Sequence, residues 1–241
     1  MLCFAKTDTG LVRTENQDAF YTKTLDENTQ LAIVCDGMGG SSGGNVASEI
    51  AVKAASLEIE KNYKPNFTDA EYKRMFEKAM EFAHTAIHSL SEKDKELEGM
   101  GTTCVICIVH NGRAHVSHVG DSRAYHITDQ EIVQITKDQS YVQQMIDAGN
   151  ITKEEAKTHP QRNIILQALG VEKSARPDYT VRVLDDKEMI LICTDGLSNY
   201  VDDDKVFGII KNNDIEKVCG ILVDTVNNNG GSDNTTVVLI G

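Results

Sequence analysis

The sequence predicts an α+β fold with antiparallel sheets and helices on the outside, on three observations. Short apolar runs such as LAIVC, VICIV and MILIC recur along the chain, each bounded by turn residues. Asn111-Gly112 separates two such runs, and Asn-Gly between apolar runs marks an antiparallel hairpin. Stretches with apolar residues at helical spacing interleave with the strands in blocks.

In chain order, DAFYTK (18–23) and QLAIVCDG (30–37) read as strands. Val46, Ile50, Ala54 and Leu57 then recur at helical spacing. Tyr72, Met75, Phe76, Ala79, Phe82, Ala83, Ala86, Ile87 and Leu90 do so more strongly. Pro65 and Asn66 part the two, predicting a helical hairpin laid on a sheet. TTCVICIV (102–109) and RAHVSHVGDS (113–122) form the Asn-Gly hairpin, and RAYHITDQEIVQIT (123–136) forms another. Residues 141–170 are polar and short-helical, as a mobile surface segment would be. The strands DYTVRVL and EMILICTDG follow, then helices over 203–212 and about 214–227, and a last strand, NTTVVLIG.

The chain has 241 residues, 40% of them hydrophobic, enough for one domain over 1–241 with a large core. With 24 Lys+Arg against 37 Asp+Glu its net charge is −13, which argues against nucleic acid or an anionic membrane as partner. The start, MLCFAKTDTG, has no basic region followed by an apolar stretch, and the apolar runs are too short to cross a bilayer. Six cysteines then read as reduced, mostly buried thiols of a cytoplasmic protein. A monomer is the expectation, since no apolar stripe is left over.

Three apolar strands stop at an aspartate beside a glycine: Asp36, Asp121 and Asp195. A fourth acid, Asp233, stands just before the last strand. In antiparallel sheets strand ends and strand starts share a rim, so the four can gather there. Like charges at close range repel and raise one another's pKa, so a counter-charge is needed. The donors are hard oxygens with no matching His or Cys, which favours Mg²⁺ or Mn²⁺ over zinc. A carbonyl such as that of Gly37 can add to the set. Arg13, in RTENQD (13–18), supplies a planar fork for phosphate. Metals and one Arg together suggest phosphate-ester hydrolysis by activated water.

These residues resemble the metal-dependent type 2C (PPM) family of serine/threonine protein phosphatases, in its small bacterial form. The matching motifs are RTENQD, DGMGG (36–40), GTT (101–103), GDSR (120–123), TDG (194–196) and SDNTT (232–236), in the family's order. The resemblance implies a central antiparallel β-sandwich flanked by helices in α-β-β-α layers, with a metal centre at one edge. It implies two or three Mn²⁺ or Mg²⁺ ions. Asp36 would bridge two, with the Gly37 carbonyl on one; Asp195 and Asp233 would ligate the other, and Asp121 with Asp195 a third. Asp18 and Asn234 would act through bound water, and Arg13 would hold the phosphate. The segment 141–170 would be the family's flap, used in substrate handling. Phosphoserine and phosphothreonine proteins would be the substrates, with a cytosolic Ser/Thr protein kinase as the opposing enzyme. Two departures stand out: Met38 where many eukaryotic relatives have a proton-donating histidine, and Gln139 in place of a common histidine.

Other motifs weigh less. Cys107 and Arg113 have C-x5-R spacing, but Cys107 falls within a strand run and no helix starts after Arg113. Asp8-Thr9-Gly10 occurs once with no apolar strand before it, and GMGGSSGG lacks a P-loop Lys. GMGGSSGG reads as a flexible turn at the metal site. His84 and His88 read as a solvated helix face. The rival to catalysis is an inactive phosphoprotein-binding or scaffold member of the same fold, which would be expected to have lost a metal acid or the Arg.

Overall fold

The computed structural model describes residues 1–171 and 174–241, with residues 40–42 described by backbone alone. Strand β3 (Thr29–Met38) shows how the sequence sets the layers. Leu31, Ile33 and Cys35 point to one apolar cluster while Ala32 and Val34 point to another, and all five are fully buried. A strand buried on both faces has to lie between two packed layers. β3 belongs to a sheet ordered β2 (Asp18–Asp26), β3, β5 (Cys104–His110), β6 (Arg113–Val119) and β9 (Asp178–Val183), with the short β4 (Gly101–Thr102) pairing β3. The second sheet runs β1 (Cys3–Asp8), β11 (Thr235–Ile240), β10 (Met189–Cys193), β7 (Arg123–Ile127) and β8 (Ile132–Gln134). All these pairings are antiparallel.

Between the sheets lie Ala32, Val34, Val105, Cys107, Val116, Ile190, Ile192 and Val238. On the outer face of the first sheet, helices α1 (Gly40–Asn62) and α2 (Asp69–Ser91) press Ala47, Ala51, Phe76 and Met80 onto Leu31, Ile33 and Ile106. Outside the second sheet, α6 (Asp203–Asn212) and α7 (Ile215–Asn228) cover Leu191, Val237 and Leu239. The α-β-β-α sandwich expected from the motifs is the observed fold. α2 opens on Thr68, whose N–H and hydroxyl both donate to the Glu71 carboxylate, a capping arrangement that fixes where the helix begins.

Several elements differ from expectation. A strand, β1, precedes Asp8 after all; it is a half-buried edge strand, so its apolar alternation is too weak to stand out. α1 begins at Gly40 and absorbs residues read as a flexible turn. Packing there overrides the poor helix propensity of glycine. Leu57 and Phe82 share the helical spacing of the core residues yet are exposed. His84 is buried, not solvated, and its Nδ1 accepts the Gly170 N–H at 3.1 Å. Residues 141–170 hold two short helices, α3 (Tyr141–Asp147) and α4 (Lys153–Lys157). Among the described residues no helix is long and apolar enough to cross a membrane.

Candidate metal centre and phosphate site

Strand pairing brings the acids together. Asp18 opens β2 directly opposite Asp36 on β3, a like-charge cross-strand pair that disfavours the sheet by itself. Asp195 follows β10 and starts the short α5 (Asp195–Ser198), where it meets Asp36 and accepts the Asn199 amide at 2.9 Å. Asp233 lies two residues ahead of β11, which pairs β10, so it reaches the same end of the sandwich as Asp195. Asp121, in the turn from β6 to β7, completes the group within electrostatic reach of Asp36 and Asp195.

The fold pushes these groups toward neutrality. Burial first, then the charges of Asp18, Asp195, Asp121 and Asp233, hold the Asp36 carboxyl well above the usual carboxylate range. Burial and Asp195 likewise raise Asp121, and the Asp138 charge adds to this while Arg123 eases it. Asp195 is raised by burial and Asp233, with Asp36, Arg123 and Asn199 acting against the rise. Asp18 goes up to about 7 through burial, although Thr236 and Thr194 lower it by donating hydroxyl hydrogen bonds at 2.7 and 2.9 Å to its Oδ2. Oδ1 of Asp18 and Oδ1 of Asp121 are buried without a hydrogen-bond partner among the described residues. Orphaned oxygens in a crowd of like charges are what an oxygen-binding cation would satisfy.

The donor set fits such an ion. Among the described residues no three His, Cys, Asp or Glu side chains close on one point. Mg²⁺ and Mn²⁺ take carboxylate, backbone carbonyl and water oxygens together, so a few carboxylates with a carbonyl and water suit them. Gly37 has to be glycine because of the chain's own packing: a Cβ on it would lie 2.0 Å from the Gly44 carbonyl oxygen and 2.6 Å from that of Gln17. The turn is held from behind, with Gly37 N–H on the Gln17 carbonyl at 3.0 Å and Asp36 N–H on the Thr103 hydroxyl at 2.9 Å.

Arg13 stands at the mouth. Its Nη2 donates to Asp233 Oδ2 at 3.0 Å and its Nε lies 3.0 Å from Oδ1, a pairing that raises the guanidinium pKa, and it also feels Asp36 and Asp195. Both partners are partly exposed, so solvent screens the pair to about 1 kcal/mol or less, and exchanging Asp233 for a phosphate costs little. Asn234 serves the backbone: its Oδ1 accepts Gln17 N–H at 2.8 Å and its Nδ2 donates to the Thr9 and Glu15 carbonyls, each at 2.9 Å. All the expected residues thus share one edge of the sandwich.

Sequence reasoning passed over the groups behind them. Thr194 and Thr236 lie in quoted motifs, yet nothing in either threonine signals that it will clasp a buried Asp18. Arg123 grips Asp138 through Nε at 3.0 Å and Nη2 at 2.6 Å, a pair fifteen residues apart beside Asp121. Gln139 brackets Gly120: its N–H donates to the Gly120 carbonyl and its Oε1 accepts the Gly120 N–H, both at 2.9 Å. Its Nε2 reaches Asp178 Oδ2 at 3.0 Å. Cys107 is sealed between the sheets with its ionisation pushed up by burial, and Arg113 pairs with Asp69 at 2.8 Å, so C-x5-R is a coincidence.

The family described as protein phosphatase 2C matches residues 12–217 of this chain. The serine/threonine phosphatase stp of Listeria monocytogenes serotype 4b is 35% identical over 236 residues, covering 98% of this chain and 93% of the relative. The crystal structure of the Mycobacterium tuberculosis serine/threonine phosphatase PstP/Ppp superimposes with a TM-score of 0.89 at 35% identity, covering 99% of this chain and 97% of that one. The PstP catalytic domain in complex with two manganese ions matches with a TM-score of 0.86 at 33% identity, covering 99% and 96% of the two chains.

Proposed function

This chain belongs to the protein phosphatase 2C family, and from that membership we propose that it is a metal-dependent protein serine/threonine phosphatase acting as one catalytic domain over 1–241. The observation that carries the proposal is the edge where Asp36, Asp195, Asp121, Asp18 and Asp233 crowd together beneath Arg13.

Asp36, Asp195, Asp233 and the Gly37 carbonyl are the groups that would hold two divalent ions, and Asp121 with Asp195 would hold a third. Manganese is favoured over magnesium by the manganese-bound PstP relative. Bound there, the ions supply Lewis acidity and a water of lowered pKa as nucleophile. The chain's own residues do the rest. Arg13 swings its fork from Asp233 to two phosphoryl oxygens and offsets the charge that builds on them. Asp18 accepts from an ordered water through its free Oδ1 while Thr194 and Thr236 fix the other oxygen. Asn234 holds the loop that carries Arg13. Met38 has no proton to give, so the departing serine or threonine oxygen takes one from water. The segment 141–170 is the flap over this edge. In a bacterial cytoplasm such an enzyme reverses a Ser/Thr protein kinase in signalling, as a monomer, with phosphoproteins as substrates.

The test is phosphate release from a phosphothreonine peptide with Mn²⁺ and then with EDTA, for the wild type and Asp195→Ala. Release that stops with EDTA and drops at least about a thousandfold in the variant is expected. A folded, Mn²⁺-loaded wild type that is silent on several peptides would turn the reading to phosphoprotein binding without catalysis.

A further inference from the structure

Leu11 and Val12 immediately precede Arg13, and they are 68% and 65% exposed, the two highest values among the exposed large apolar residues described. Isolated exposed apolar residues need no explanation, but two adjacent ones beside a charged recognition group do. The loop that carries them is built, not slack. Leu11 N–H donates to the Gly231 carbonyl at 2.7 Å, Gly10 N–H to Asp8 Oδ1 at 2.9 Å, and Asn16 Nδ2 to the Thr7 hydroxyl at 2.8 Å. Asn234 ties down the Thr9 and Glu15 carbonyls on either side. Gly10 is packed so closely that a Cβ there would lie 2.4 Å from the Asp233 carbonyl oxygen. The loop therefore spends its conformational entropy in folding and presents Leu11 and Val12 in place before any partner arrives.

We propose that Leu11 and Val12 form a docking ledge for a large aliphatic side chain next to the phosphorylated residue of a protein substrate. The inference rests on the phosphatase reading above, because Arg13 locates the phosphate. Consecutive Cα atoms lie about 3.8 Å apart, so the ledge is within about 8 Å of the Arg13 backbone. An extended peptide advances about 3.3 Å per residue, so a ledge at that distance is within reach of the residues one or two away from the phosphorylated one. Aliphatic side chains at those positions lose water against Leu11 and Val12, whereas small polar ones gain nothing there.

The experiment compares kcat/KM for two phosphothreonine peptides that differ only in having leucine or serine at the two residues on each side. The wild type is expected to favour the leucine peptide roughly five- to tenfold. In the double variant Leu11→Ser/Val12→Ser that ratio falls to near one, and in Leu11→Met/Val12→Ile it is retained. A wild-type ratio near one, or a preference that survives the double serine variant, overturns the proposal. Silence of the wild type on both peptides and on p-nitrophenyl phosphate is a separate failure, that of the phosphatase reading. Fluorescence anisotropy with the same labelled peptides then decides the ledge alone: tighter binding of the leucine peptide by the wild type upholds it, and equal binding overturns it.

Discussion

The acids at the edge of the sandwich and the segment 141–170 share their roots but are held in opposite ways. Each acid hangs from a strand, turn or helix start whose backbone is paired into the sheets, and hydroxyls and an Arg–Asp pair stand behind them. Between 141 and 167 only Ala156 is buried. That segment is fixed at its ends, through Gln139 on Gly120 beside Asp121, and through Thr102 and Leu169, which exchange N–H···O bonds of 3.0 and 2.8 Å. Thr102 also donates its hydroxyl to the Asp36 carbonyl at 2.8 Å. Rigid scaffold is thus spent where charge must be forced together. Beyond those ends the segment is held by exposed ion pairs such as Lys157 on Asp202 at 3.2 Å, and low burial is what allows such a segment to open locally.

The comparison breaks most severely at Asp36. Asp36→Asn is expected to lower phosphate release at least about a thousandfold and yet to raise the melting temperature of the metal-free protein. The wild-type fold keeps protons on Asp18, Asp36, Asp121 and Asp195 that the unfolded chain gives up near pH 4. Its metal-free stability therefore falls as pH rises from about 4, through about 7 for Asp18. Thermal melts across that window should slope downward in the wild type and less so in Asp36→Asn. An upward slope would mean that the edge is not strained by its own charge.

A smaller effect is expected one step behind the acids. Thr194→Val leaves Asp18 with only the Thr236 hydroxyl, which should cost about 1–3 kcal/mol in urea unfolding and about 10- to 100-fold in turnover. Wild-type activity in this variant would show that the hydroxyl clasp is ornamental. Smallest is the effect at the root of the segment 141–170. Gln139→Ala removes the acceptor for Gly120 N–H and the donor to Asp178, and should raise peptide KM a few-fold while speeding proteolysis within 141–167. A change in Mn²⁺ affinity larger than the change in KM would place Gln139 with the acids instead.

Much of this was legible in the sequence, for a physical reason. Asp36, Asp121 and Asp195 each close an apolar strand beside a glycine, a placement whose cost points to a use, and antiparallel pairing then fixes their common rim. The central strands stand out as continuous apolar runs because both of their faces are buried. β1 was not legible, since an edge strand needs only one apolar face and CFAKTD shows little contrast. Leu57 and Phe82 mark the limit of periodicity, which gives a face but not how wide the neighbouring layer is. His84 was misread because its partner, the Gly170 N–H, comes from eighty-six residues away. Thr236 was hidden in plain view as a β-branched residue that any strand would favour, and Thr194 as an ordinary residue before a helix start.

Like charge strains this edge until divalent ions relieve it. The direct measurement is the melting temperature at pH 7 against Mn²⁺ concentration, with EDTA reversal, for the wild type and Asp195→Asn. A saturable rise of several degrees in the wild type, reversed by EDTA and largely absent in the variant, is expected. An equal rise in both proteins, or none in either, would contradict the account.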